Sequence, residues 1–192
     1  MTETAANTDR LIRTLLDAGW TLTEGNQQPT HAFRPAQDSG LTVWMSTGSG
    51  IGHLQLDAER RRLEDGTVRA PWKAEVLGKL PVAVLAAVAE ANARHCHPGA
   101  EPGALLGPAG WDRSPNWPRD WTAPDEEREL SWIDDDMDEP NYWCIQRYDL
   151  QAEISASADT PADVIAAFAL TDAPEPPPAR GHTGPTPDIH NR

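Results

Sequence analysis

Three stretches of this chain occur twice in the same order, and that repetition constrains the fold more than any single motif. The first pair is Leu15-Leu16-Asp17-Ala18-Gly19-Trp20 and Leu105-Leu106-Gly107-Pro108-Ala109-Gly110-Trp111. The second is Trp72-Lys73-Ala74-Glu75-Val76 and Leu150-Gln151-Ala152-Glu153-Ile154. The third is Pro81 to Ala89 and Pro161 to Ala169. Between the first two, Val43-Trp44-Met45 is set against Ser131-Trp132-Ile133.

The second pair alternates apolar and polar residues, the period of a half-buried strand. In the third pair, Val84, Leu85 and Val88 fall at helical spacing, as do Val164, Ile165 and Phe168. A proline suits the first turn of each helix, where its missing N–H leaves no bond unmade. Thr160 reads as an N-cap, with Asp163 three residues on in a capping-box position. The expected fold is therefore α+β: two diverged copies of an antiparallel β-sheet unit, each ending in an α-helix.

The remaining strands of copy one are expected at His31 to Arg34, Leu41 to Ser46 and His53 to Asp57. Those of copy two are expected at Leu130 to Ile133 and Asn141 to Asp149. An extra N-terminal helix is predicted over Asp9 to Ala18, with Thr8 as N-cap, Leu11/Leu15 and Ile12/Leu16 as its buried face, and Gly19 as its C′ residue. The domain reading is 1–97 for the helix and first copy, 98–173 for the second copy and 174–192 for a disordered, Pro-rich tail. His97 to Pro108 reads as a linker.

Charge divides along the same boundary. The formal net charge is −14; residues 1–97 hold 11 acids against 10 bases, and residues 98–192 hold 19 against 6. Asp112 to Glu139 alone carries 11 acids and 3 bases. A phosphate backbone would be repelled by such a half, so direct nucleic-acid binding is not expected, and a protein partner with a basic surface fits better. No membrane association is expected either: no apolar run approaches the roughly 18 residues a span needs. Two cysteines, Cys96 and Cys144, build no disulfide framework, which predicts a cytoplasmic protein with reduced thiols. A homo-oligomer is compatible with the sequence.

The run Ala152-Glu153-Ile154-Ser155 through Thr160-Pro161-Ala162-Asp163-Val164-Ile165-Ala166-Ala167-Phe168 resembles the end of the DUF317-type domain of unknown function common in Streptomyces and related actinobacteria. That domain closes with a strand, a Thr-Pro and a short Ala-rich helix, and often occurs in tandem. The match covers about 20 residues well and copy one loosely, since Leu80-Pro81 replaces Thr-Pro. The resemblance implies an actinobacterial protein of a plasmid or phage-like element. It supplies no catalytic residues to transfer.

Several residue groups invite a chemical reading. His95-Cys96-His97 has metal-binding residue types, but zinc sites use separated ligand pairs, and a helix C-terminus explains the histidines as well. Gly48-x-Gly50-x-Gly52 is followed by the strand pattern His53 to Asp57, which makes it a hairpin loop and not a phosphate cradle. Arg60-Arg61-Arg62 with Arg69 and Lys73 forms the one basic cluster, read as a strand-end charge group. No cofactor motif, nucleophile elbow or Walker loop is present, and neither a catalytic nor a metal-ligating residue is assigned.

The leading expectation is a non-enzymatic binding or regulatory module. Its partner-binding residues would be Trp117, Trp121, Asp134, Asp135, Asp136, Asp138 and Glu139, an acidic face bearing tryptophan. Two alternatives stand beside it. One is a metal-assisted hydrolase using the Asp134 to Glu139 carboxylates; the other is a sugar or small-ligand binder using Trp117 and Trp121.

Overall fold

In a computed structural model, residues 3–23, 30–36, 39–46, 53–62, 66–94, 101–134 and 140–172 are described, with side chains from Asp9 onward except at Thr30. The chain begins with α1 (Glu3–Asp17) and continues through β1 (Thr21–Thr23), β2 (Thr30–Arg34), β3 (Leu41–Ser46) and β4 (His53–Ala58). A small ribbon of β5 (Arg61–Arg62) and β6 (Val68–Arg69) precedes β7 (Trp72–Leu77) and α2 (Val82–Ala93). The second half runs α3 (Gly103–Leu106), β8 (Asp112–Arg113), β9 (Trp121–Thr122), β10 (Arg128–Ile133), β11 (Tyr142–Arg147), β12 (Ala152–Ser157) and α4 (Ala162–Leu170).

Ten strands make one antiparallel sheet in the order β1-β2-β3-β4-β7-β12-β11-β10-β9-β8. Both halves therefore share a single sheet, joined where β7 meets β12. At that seam Glu75 lies opposite Ser155 and Val76 opposite Ile154. Reading outward from the seam, each half runs back through its own strands in reverse chain order. The strands β3, β4 and β7 are six residues each, as are β10, β11 and β12.

Local chemistry explains the matching ends. Helix α1 stops in a Schellman turn: Gly19 sits at φ 83°, its N–H bonds Leu16 O, and the Trp20 N–H reaches back to Leu15 O. Near α3, Gly110 at φ 84° bonds Gly107 O, and the Trp111 N–H reaches Leu106 O. In both turns the leucine and the tryptophan five residues on are buried, the apolar clasp that accompanies this cap. Pro81 and Pro161 are extended N-caps whose carbonyls accept from Val84 and Leu85, and from Val164 and Ile165.

All four helices gather on one side of the sheet. Helices α2 and α4 lie against each other, with α1 packed on α2 and α3 on α4. The sheet turns Val43, Leu54, Leu56, Ala74, Val76, Ile154, Ala156, Ile145 and Leu130 toward them, and all are buried. Val84, Leu85 and Val88 of α2 and Val164, Ile165 and Phe168 of α4 close that core at full burial. No helix among the described residues is long and apolar enough to cross a membrane.

Helices α2 and α4 each end on a buried arginine. Arg147 is fully buried and donates Nη1 to Phe168 O at 2.8 Å and Thr171 O at 2.9 Å, satisfying the end of α4. Its other donors grip Asp149 in a bidentate pair at 2.9 and 2.7 Å. Arg69 does similar work for α2, reaching Arg94 O at 2.6 Å and Asn92 Oδ1 at 2.8 Å. Buried Asn92 also accepts from Trp72 Nε1 and donates to Ser39 O, which ties α2 to β7 and to the segment before β3.

Several sequence expectations need correction. Helix α1 begins at Glu3, so Thr8 lies inside it and not at its N-terminus; Leu16 is 44% exposed while Leu15 is buried. Thr160 makes no cap hydrogen bond; its hydroxyl meets that of Ser157 at 3.3 Å, and Pro161 takes the N-cap position. Leu150 closes a short 3-10 turn, Gln151 is left-handed at φ 52°, and the strand starts only at Ala152. Trp44 and Trp132 face opposite sides of the sheet, because Trp132 shares a row with Trp143 and Ala156, whereas Trp44 shares one with Gln55 and Glu75. The segment read as a linker contains α3. Arg69 is a buried structural residue and not part of an exposed basic cluster.

Candidate binding site

Two places bring chemistry-bearing side chains together, one on the second half and one at the seam, at opposite ends of the strands. The first is the turn between β8 and β9. It is tied by Ser114 N–H to Asp120 O at 2.9 Å, Asp120 N–H to Trp117 O at 2.9 Å, Trp117 N–H to Ser114 Oγ at 3.2 Å and Arg113 Nε to Pro118 O at 2.7 Å. That lattice holds Trp117 out in solvent at 68% exposure. A large apolar ring on a well-tied turn costs little further ordering on binding, which is the character of an interface anchor.

The Asp120 carboxylate accepts the Trp132 N–H at 3.3 Å, so this turn lies beside the end of β10, from which exposed Asp134 projects. Trp117 and Asp134 thus belong to one end of the sheet. Asp135, Asp136, Asp138 and Glu139 lie outside the described residues, as do His95-Cys96-His97, the Gly48 to Gly52 loop and the tail from 174. Trp121 has a different setting. It packs against the core, its ring so close over Gly103 that a Cβ there would collide, and the Arg113 guanidinium sits 5.9 Å from its centroid. Trp111 and Trp143 are buried core residues, and Trp132 meets Trp143 edge-on at 4.8 Å with Arg119 stacked 4.8 Å over it.

The second place lies at the opposite strand ends, on the sheet face away from the helices. Cross-strand pairing sets Leu77, Glu153, Gln146 and Glu129 in one row across β7, β12, β11 and β10. Beside that row is a cleft of about 260 Å³ lined by Leu77, Gly78, Gln146, Tyr148, Gln151 and Glu153. Gln146 Nε2 donates to Glu153 at 2.8 Å, and the Tyr148 hydroxyl donates to Glu129 at 3.2 Å. The negative field of Glu129 pushes the Tyr148 phenol above its ordinary value, with a smaller push from partial desolvation. The Cys144 thiol next to this row is pushed up first by burial and then by Glu153, which holds it in the unreactive protonated form.

This field has a direct readout. The chain has two tyrosines, Tyr142 and Tyr148, so phenolate absorbance resolves both. Glu129→Gln is expected to lower the Tyr148 pKa, because removing a neighbouring negative charge makes the phenolate less unfavourable. An unchanged ultraviolet pH titration in that variant would show that Glu129 does not act on Tyr148.

Sequence reasoning missed the second place entirely. Its members come from four strands, and only the sheet register makes them neighbours. Among the described residues no group of three or more His, Cys, Asp or Glu side chains is placed to hold a metal ion.

Comparison with protein-family models, with curated proteins and with solved structures finds no match for this chain.

Proposed function

We propose that this chain is a non-enzymatic binding module, built from two diverged copies of one helix–sheet–helix unit, that engages a basic protein partner through the acidic second half. The copies would be the two sides of the seam, sharing their glycine-tryptophan turns, six-residue strands and proline-capped helices. Their likeness to the tandem actinobacterial domain belongs to the same proposal.

The observation that carries the binding reading is Trp117, 68% exposed yet fixed by the hydrogen bonds of its own turn, at the strand ends that lead into Asp134. A charged rim around an aromatic anchor gives fast, salt-sensitive association and a desolvated centre. Trp117 is the centre in this reading, and Asp120, Asp134 and the acids following it are the rim. Trp121 supports the turn from beneath, since its ring already faces Gly103 and Arg113.

The test is a differential pull-down with the intact protein and Trp117→Ala, at low and at high salt. A partner retained by the wild type at low salt is expected to be lost both at high salt and from the variant. The truncation should cost about 2 kcal/mol of binding or more. Partners held equally by both proteins at both salt concentrations would contradict the proposal.

A further inference from the structure

We propose that the cleft at the seam of the two halves receives a lysine or arginine side chain presented by a basic segment of a partner protein. The inference rests on the binding-module reading but uses a separate site, at the other ends of the strands from Trp117.

A cationic side chain has two parts, an apolar stem and a charged head, and the cleft supplies a counterpart to each. Leu77 and Tyr148 stand half exposed, at 50% and 51%, as apolar walls along which an alkyl stem can lie. Glu153 lines the cleft, and Glu129 stands beside it, 3.2 Å from the Tyr148 hydroxyl, so two carboxylates are at hand for the charged head. Their partners are the neutral Gln146 amide and Tyr148 hydroxyl, and neither acid forms an ion pair among the described residues. The Tyr148 ring adds an electron-rich face.

The other charges nearby do not cancel this field. Arg147 lies under the cleft, but its guanidinium is fully buried and spent on Asp149 and the end of α4. Lys79, exposed one residue beyond Gly78, makes no ion pair with a described acid. The raised phenol of Tyr148 reports the same negative potential at the mouth. The frame is also stiff. Strand β12, which carries Glu153, is paired with β7 on one side and β11 on the other, and Gly78 packs so tightly on Gln151 that there is no room for a side chain between them. The occupant follows from charge complementarity: these carboxylates sit in the half of the chain that carries nearly all of its net charge.

The probes are two fluorescein-labelled peptides, one alternating glycine with lysine and one alternating glycine with glutamine. Anisotropy is read at low salt on the intact protein and on Glu129→Gln/Glu153→Gln, Leu77→Ser, Trp117→Ala and Val68→Ser, each checked by circular dichroism for retained fold. The lysine peptide is expected to bind the wild type and the glutamine peptide not to. The double variant should weaken binding about tenfold or more, and Leu77→Ser several-fold. Trp117→Ala separates the two sites, and Val68→Ser, at an exposed apolar position outside both, should leave binding unchanged. Equal affinity for both peptides, or a double variant that binds as the wild type does, would overturn the proposal. Loss with Trp117→Ala and retention with the double variant would overturn it too, while leaving the strand-end site standing.

Discussion

Arg147→Met is expected to lower the stability of the protein by about 3–5 kcal/mol, the cost of breaking a buried charge pair from one side. Methionine replaces the stem volume but none of the donors. Two carbonyls at the end of α4, Phe168 O and Thr171 O, lose their partner, and each unsatisfied buried acceptor costs about 1–3 kcal/mol. Asp149, whose side chain is 27% exposed, can recover some water, so it accounts for the smaller share. The companion variant Asp149→Asn keeps one acceptor beside Arg147 but leaves its fully buried guanidinium without a countercharge, so it too should cost about 3–5 kcal/mol. Urea unfolding followed by tryptophan fluorescence checks both. An Arg147→Met midpoint matching the wild type would mean that α4 is held by packing alone.

Gly78→Ala is expected to be the second large loss, for a different reason. At φ 113° a side chain costs about 1–3 kcal/mol in backbone strain. Space is lacking as well: an added Cβ would strike the Gln151 carbonyl oxygen and lie 2.8 Å from the Ala152 Cα. Both obstacles are backbone at the turn into β12, which cannot rotate away as a side chain could. Forcing them apart should cost about 1–3 kcal/mol more. Gly66 is the matched control, at φ 85° with no atom within 4 Å of its built Cβ. Gly66→Ala carries the strain and not the clash, so it should be clearly the milder variant. Equal losses at both positions would show that crowding at the seam contributes nothing.

Much of this architecture was legible in the residues, and the failures have definite causes. Alternation located β4 and β7, because a sheet with one helix-covered face imposes period two. The same pattern misplaced the start of β12. Leu150-Gln151-Ala152 continues the alternation backward through a 3-10 turn, and nothing in the letters reveals that Gln151 is left-handed. Setting Trp44 against Trp132 was a one-residue error, and in a strand one residue exchanges the faces. Thr160 had the right type for an N-cap, but the helix starts one residue later, with Pro161 at the N-cap, and the Thr160 hydroxyl meets Ser157 instead.

The sites were less legible than the fold. Trp117 was visible as a residue, though its display depends on the turn between Ser114 and Asp120. The seam cleft was invisible, since Leu77 and Glu153 become neighbours only through pairing of β7 with β12. Arg147 gave no signal either. Arginines are seldom fully buried, and only the end of α4 explains this one.

The seam is the claim on which the rest depends, and amide hydrogen exchange across β7 and β12 tests it most directly. If the two halves share one sheet, every amide from Ala74 to Val76 and from Ile154 to Ala156 has a strand on both sides, and all should exchange slowly. Fast exchange at every second amide of both strands would mark them as edges, and would contradict a continuous ten-stranded sheet together with the cleft built on it.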